Sequence, residues 1–149
     1  MEHIQTTSWV LLVYKIPPEP TARRAYVWRK LKRLGALLLH DAVWVLPATP
    51  WTCEQLQWLA VEITELDGEA MLWESQLLLH GQSEALRQRF LDKVNSAYQE
   101  ILDVLLQEHA DLVVLSRKYQ QVQTQDYFQS PLGDHVRTTL LAARGGYAS

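Results

Sequence analysis

The spacing of apolar positions changes character about halfway along this chain. Trp9-Val10-Leu11-Leu12-Val13-Tyr14 is a continuous apolar run of β-branched and aromatic residues, the pattern of a strand buried on both faces. Pro17, Pro18 and Pro20 end it, because proline lacks the N–H that a strand ladder needs. Thr21 then suits a helix N-cap, with the helix running to about Leu34. Gly35 follows at the position where helices favour a left-handed residue. Ala36–His40 and Val43–Leu46 predict two strands around a turn at Asp41-Ala42, the second ended by Pro47. A second helix starts at Thr52, repeats Leu56, Leu59, Ala60, Ile63 and Leu66 at helical spacing, and closes at Gly68. Ala70–Leu79 forms a fourth extended segment.

Strand, helix, strand, strand, helix, strand is the split βαβ order of a ferredoxin-like fold, and both crossovers are long enough for right-handed connections. From Ser83 the period is helical throughout. Leu86, Phe90, Val94, Ala97, Ile101, Leu102 and Leu105 predict a long helix reaching about Glu108. Leu112, Leu115, Tyr119 and Val122 predict another. Asp126-Tyr127-Phe128-Gln129 is a connector, and Ser130-Pro131 opens a last short helix that Gly145-Gly146 terminates. The expected fold class is therefore α+β: a ferredoxin-like βαββαβ domain over residues 1–80, then a helical extension over 81–149. That extension packs on the domain or on a partner subunit. Its long helix has two readings, a cover for the open face of the sheet or a stripe that pairs with a second copy.

A chain of 149 residues with a hydrophobic fraction of 48% holds a core without disulfides or metal. The single cysteine, Cys53, excludes an internal disulfide and any zinc site needing two thiolates from one chain. A reduced, cytoplasmic setting is the simple expectation. No apolar run approaches the roughly 20 residues of a membrane span. Met1-Glu2-His3-Ile4 lacks the cationic start and apolar stretch of an export signal. All six tryptophans lie in the first half, which implies a well-packed core or a contact surface there.

The net charge of −3 hides an asymmetry. Lys15, Arg23, Arg24, Arg29, Lys30, Lys32 and Arg33 face only Glu2, Glu19 and Asp41 in residues 1–50, whereas the remainder is strongly acidic. On a helix, Val27, Trp28, Leu31 and Leu34 share one arc. Arg23, Arg29, Lys30, Lys32 and Arg33 occupy the opposite one, with Arg24 at the margin. An ordinary solvated helix mixes signs, since i, i+4 pairs of opposite charge stabilise it. An outer face with no acid is suited to an external anion, of which phosphate backbones are the commonest. Tyr26 and Trp28 within the run add stacking surfaces, although rings at such positions more often belong to the core. The plain alternative is a solubilising face, or one that meets acidic residues of the second half.

Catalytic signatures are missing. His3, His40, His80, His109 and His135 show no HxH or HxxxH spacing, and no GxSxG, P-loop or GxGxxG is present. Cys53 at a helix start is open to acidification by the helix dipole, yet a buried, inert thiol explains it as well. Glu62, Glu65 and Glu69 fit a solvated surface better than an acid–base pair. Neither enzymatic activity, a metal site nor a cofactor is expected.

Several segments resemble the N-terminal domain of the chromate-resistance protein ChrB: Trp9 to Pro18, Val27 to Ala36, Val43-Trp44-Val45-Leu46-Pro47, Leu56-Gln57-Trp58-Leu59, Gly68-Glu69-Ala70 and the later Asp126-Tyr127-Phe128. The resemblance spans almost the whole chain and is most specific in the first fifty residues. It implies a chromate-responsive transcriptional regulator that binds promoter DNA, and chromate or another oxyanion; the basic helix supplies the candidate contacts, Arg23, Arg24, Arg29, Lys30, Lys32 and Arg33. A homo-oligomer without membrane contact goes with that picture. A second domain found in longer members has no counterpart here. A more distant likeness to the PaaX middle domain and to the small CRISPR adaptation nuclease subunit implies the same ferredoxin-like fold. The nuclease's metal-holding aspartate is replaced here by Tyr14-Lys15-Ile16-Pro17, which argues against cleavage. The rival expectation is a non-catalytic structural or oligomerisation domain with no nucleic-acid role.

Overall fold

The computed structural model describes residues 7–145. Over these residues the chain is α+β, with a four-stranded antiparallel sheet and five helices. It divides into two compact units, Met1–Ser83 and Glu84–Ser149. Among the described residues no helix is long and apolar enough to cross a membrane.

In the first unit β1 (Trp9–Lys15), α1 (Thr21–Leu34), β2 (Leu37–Leu39), β3 (Val43–Pro47), α2 (Pro50–Glu65) and β4 (Glu69–Ser75) follow in that order. The sheet order is β2-β3-β1-β4. The central strand β1 aligns Leu12 with Trp44 of β3 on one side and with Leu72 of β4 on the other. Burial in β1 is complete at Trp9, Val10 and Leu12 but only partial at Leu11, Val13 and Tyr14, so the strand is not buried on both faces along its length as its apolar run predicts. Trp9, Val10, Leu12, Trp44, Val45 and Leu46 are buried, together with Val27 and Leu31 of α1 and Leu56, Leu59 and Ile63 of α2.

Element ends differ from the sequence expectation by a residue or a few. The N-cap of α1 is Pro20, with no side-chain cap, so Thr21 is the first helical residue rather than the cap. A proline fixed near the extended region enters a helix without needing an N–H partner. Gly35 closes α1 in the left-handed region, as expected. The turn between β2 and β3 is centred one residue earlier than Asp41-Ala42. His40 and Asp41 both have positive φ, and the Ala42 amide donates to the Leu39 carbonyl. Helix α2 begins at Pro50, capped by Thr49, whose hydroxyl accepts from the Thr52 amide while the Thr49 amide donates to the Thr52 hydroxyl. Thr52 is thus buried inside a capping box. The fourth strand stops at Ser75, four residues short of the predicted extended segment. Gly68 precedes it, where an added Cβ would lie 2.6 Å from the Lys15 carbonyl oxygen. Only glycine allows that approach.

The second unit holds α3 from Glu84 onward (the helix spans Gln82–Leu105), α4 (Leu112–Thr124) and α5 (Pro131–Ala143). Val94, Tyr98, Ile101, Leu115, Val136 and Leu140 form its core. Asp111 caps α4 by accepting from the Val113 and Val114 amides, and Ser130 caps α5. The Asp126-Tyr127-Phe128 connector is a structural clasp. Asp126 accepts from the Tyr98 hydroxyl at 2.8 Å and from the Ser130 amide. Phe90 meets Tyr127 and Phe128 edge-on. Gly145 has positive φ, whereas Gly146, the other half of the predicted stop, lies outside the described residues.

Candidate functional site

The cations of the basic helix separate onto two flanks of α1, divided by the buried line of Val27 and Leu31. Positions 23, 26, 30 and 33 recur at i, i+3, i+7 and i+10, so they stack on one side. Positions 24, 28 and 32 stack on the other, with 29 on the crest between.

The first flank is paired with acids. The Arg23 guanidinium donates to Asp67 Oδ2 at 3.1 Å and to the Leu66 carbonyl at 3.2 Å, both just beyond the end of α2. The Tyr26 hydroxyl donates to Glu62 Oε2 at 2.6 Å. That bond, followed by partial burial and the Glu62 charge, pushes the Tyr26 phenol above its ordinary pKa. Lys30 Nζ lies 5.6 Å from the Tyr26 ring centre, within cation–π range. Arg33 and Glu65 both act electrostatically on the same phenol. This corrects the expectation of a face whose cations all lack acidic neighbours. The acids come from α2 and its C-terminal turn within the same unit, and Glu62 is an engaged acceptor rather than bare surface.

The second flank is open. Arg24 and Arg29 are exposed and make no ion pair among the described residues. Trp28 is 51% exposed, a correction to its expected place on the buried arc; Lys32 Nζ lies over its ring, 5.5 Å from the ring centre. Arg24 also lines a cleft of about 510 Å³ formed with Tyr14, Lys15, Trp28, Leu38, Asp41 and Trp44. Burial raises the Tyr14 phenol pKa, opposed by the nearby Arg24 charge and by a hydrogen bond from Trp44.

Of the six tryptophans, Trp9 and Trp44 belong to the core, while Trp28, Trp51, Trp58 and Trp73 are roughly half exposed or more. Cys53 is half-buried, and its thiol is pushed up by burial and then by Glu74, so the helix start does not acidify it. Among the described residues no group of three or more His, Cys, Asp or Glu side chains is placed to hold a metal ion. His3 lies outside the described residues.

Residues 24–106 match the family described as Protein ChrB, N-terminal. The chain belongs to that family. It is 36% identical over 66 residues to Protein ChrB of Cupriavidus metallidurans, a stretch covering 44% of this chain and 20% of that protein. The matched ChrB-family segment therefore represents about a fifth of its relative's length. No solved structure shows a significant match. The family match begins within α1 and contains the whole open flank, but leaves out β1 and the cis-proline loop before the helix.

Proposed function

We propose that this ChrB-family chain is a non-catalytic regulatory module of a chromate-resistance response, which holds DNA phosphate through the open flank of α1. Strand order β2-β3-β1-β4 with α1 and α2 as crossovers supports a ferredoxin-like arrangement for the first unit. In that arrangement α1 is a rigid presenting element. The observation that carries the reading is the combination of Arg24 and Arg29, without ion pairs, with a half-exposed Trp28 between them. Two guanidiniums left unpaired in water gain by neutralising phosphates and releasing condensed counterions. Such contacts position a duplex without reading its sequence. Chromate, a tetrahedral dianion, suits the same donors and would compete with phosphate for them.

The test is a titration of duplex DNA from upstream of the protein's own coding region at several salt concentrations, with chromate and sulfate added in parallel. The proposal expects affinity to fall steeply with salt and chromate to weaken binding more than sulfate does. Affinity that ignores salt would refute it.

A second reading, a subunit-pairing module, is favoured by Trp51, Trp58 and Val61, which share one exposed side of α2. It expects a dimer by sedimentation that Trp58→Glu dissociates, with DNA binding absent altogether.

A further inference from the structure

The cleft beside α1 contains more chemistry than binding a phosphate alone would use. Its walls come from the end of β1 (Tyr14, Lys15), the helix (Arg24, Trp28), β2 and β3 (Leu38, Trp44) and the turn residue Asp41. Two cations, one carboxylate and three aromatic rings therefore converge on about 510 Å³. Cavities of roughly 300–1,000 Å³ are the size that takes an organic ligand. A lone tetrahedral oxyanion, only a few times the roughly 30 Å³ share of a water molecule, would leave the Trp28 wall bare. Arg24 makes no ion pair with Asp41 across the cleft. Trp44 acts on the Tyr14 phenol as a hydrogen-bond partner, against the larger effect of burial. The cleft thus offers cationic donors, a phenol donor, one acidic acceptor and a half-exposed indole, with Lys32 Nζ over one face of the ring.

We propose that this cleft binds an unpaired nucleotide, its base stacked on Trp28 and its phosphate held by Arg24 and Lys15. Each feature matches one part of that ligand. The indole face takes a base regardless of identity. Guanidinium and ammonium groups take the phosphate. Asp41 is an acceptor for the exocyclic amino group that adenine, cytosine and guanine present. The ligand chemistry is shared by a free mononucleotide and by an unpaired nucleotide within a strand. The inference rests on the proposed function only in sharing Arg24 and Trp28 with the open flank.

The full chain is titrated calorimetrically with nucleoside 5′-monophosphates, the matching nucleosides, inorganic phosphate, a short single-stranded oligonucleotide and a duplex of equal length. Wild type is compared with Trp28→Leu, Arg24→Gln and, on the second unit, Arg117→Gln. Monophosphates are expected to bind, weakened at least about ten-fold by Trp28→Leu and by Arg24→Gln, and unchanged by Arg117→Gln. Trp28 is half exposed, so its variant keeps the fold, which an unchanged melting temperature verifies. An oligonucleotide binding more tightly than the monophosphate identifies a strand as the source; equal affinity identifies the free nucleotide. Phosphate binding as tightly as the nucleotides, or Trp28→Leu binding them as well as wild type, overturns the inference. Duplex binding without any nucleotide binding removes the cleft proposal and leaves the proposed function standing. Nucleotide binding without duplex binding does the reverse.

Discussion

The two flanks of α1 carry the same residue types and have opposite fates. Arg23, Tyr26, Lys30 and Arg33 run alongside α2, where Asp67, Glu62 and Glu65 meet them. Arg24 and Trp28 line a cleft whose one acid, Asp41, forms no ion pair with Arg24. The difference lies in what each flank faces. A cation beside a folded acid has its field cancelled locally, and in water that pairing adds little stability. A cation beside a cleft keeps its field for a ligand. Charge counted along the sequence therefore overstates the binding face by including residues already satisfied at home.

The largest expected effect comes from reversing the open flank. Arg24→Glu with Arg29→Glu is expected to weaken duplex binding by about 100-fold or more at moderate salt, measured by fluorescence anisotropy, with circular dichroism unchanged. Opening the paired flank works in the other direction. Glu62→Gln with Asp67→Asn removes the carboxylates that hold Tyr26 and Arg23, and duplex affinity is expected to rise several-fold. A fall in affinity would mean that these acids build the binding surface rather than mask it. The smallest effect falls on the Tyr26–Glu62 bond. Tyr26→Phe is expected to cost at most about 1 kcal/mol in denaturant unfolding, since the pair is partly solvated. The Tyr26 pKa is raised in the folded chain, so this contribution is complete below about pH 10, the unfolded phenol value. It disappears as pH rises through the folded value. In Tyr26→Phe that part of the alkaline loss is absent.

Local chemistry makes much of this fold legible. The apolar run at Trp9–Tyr14, the prolines after it and Gly35 behave as their backbone preferences dictate. Helical period locates α3 and α4, and the Ser130-Pro131 opening locates α5. What stays hidden is tertiary. Arg23 and Asp67 are 44 positions apart, and Tyr26 and Glu62 are 36 apart, so no window along the chain couples them. Trp28 sits at the edge of the apolar arc, where helical period cannot separate a core ring from a surface one. The cleft is assembled from five segments of chain, and only Arg24, at the margin of that arc, hints at it. Asp126-Tyr127-Phe128 supports the family resemblance, yet its partners are those of a fold clasp.

The most direct measurement is the salt dependence of duplex binding for single charge-neutralising variants of the two flanks, Arg23→Gln against Arg24→Gln and Arg29→Gln. Each open-flank variant is expected to lower the log–log slope by about 0.9, the share of one neutralised phosphate, while Arg23→Gln leaves the slope at the wild-type value. Equal reductions in slope from both flanks, or none from either, would contradict the division of α1 into a paired and an open side.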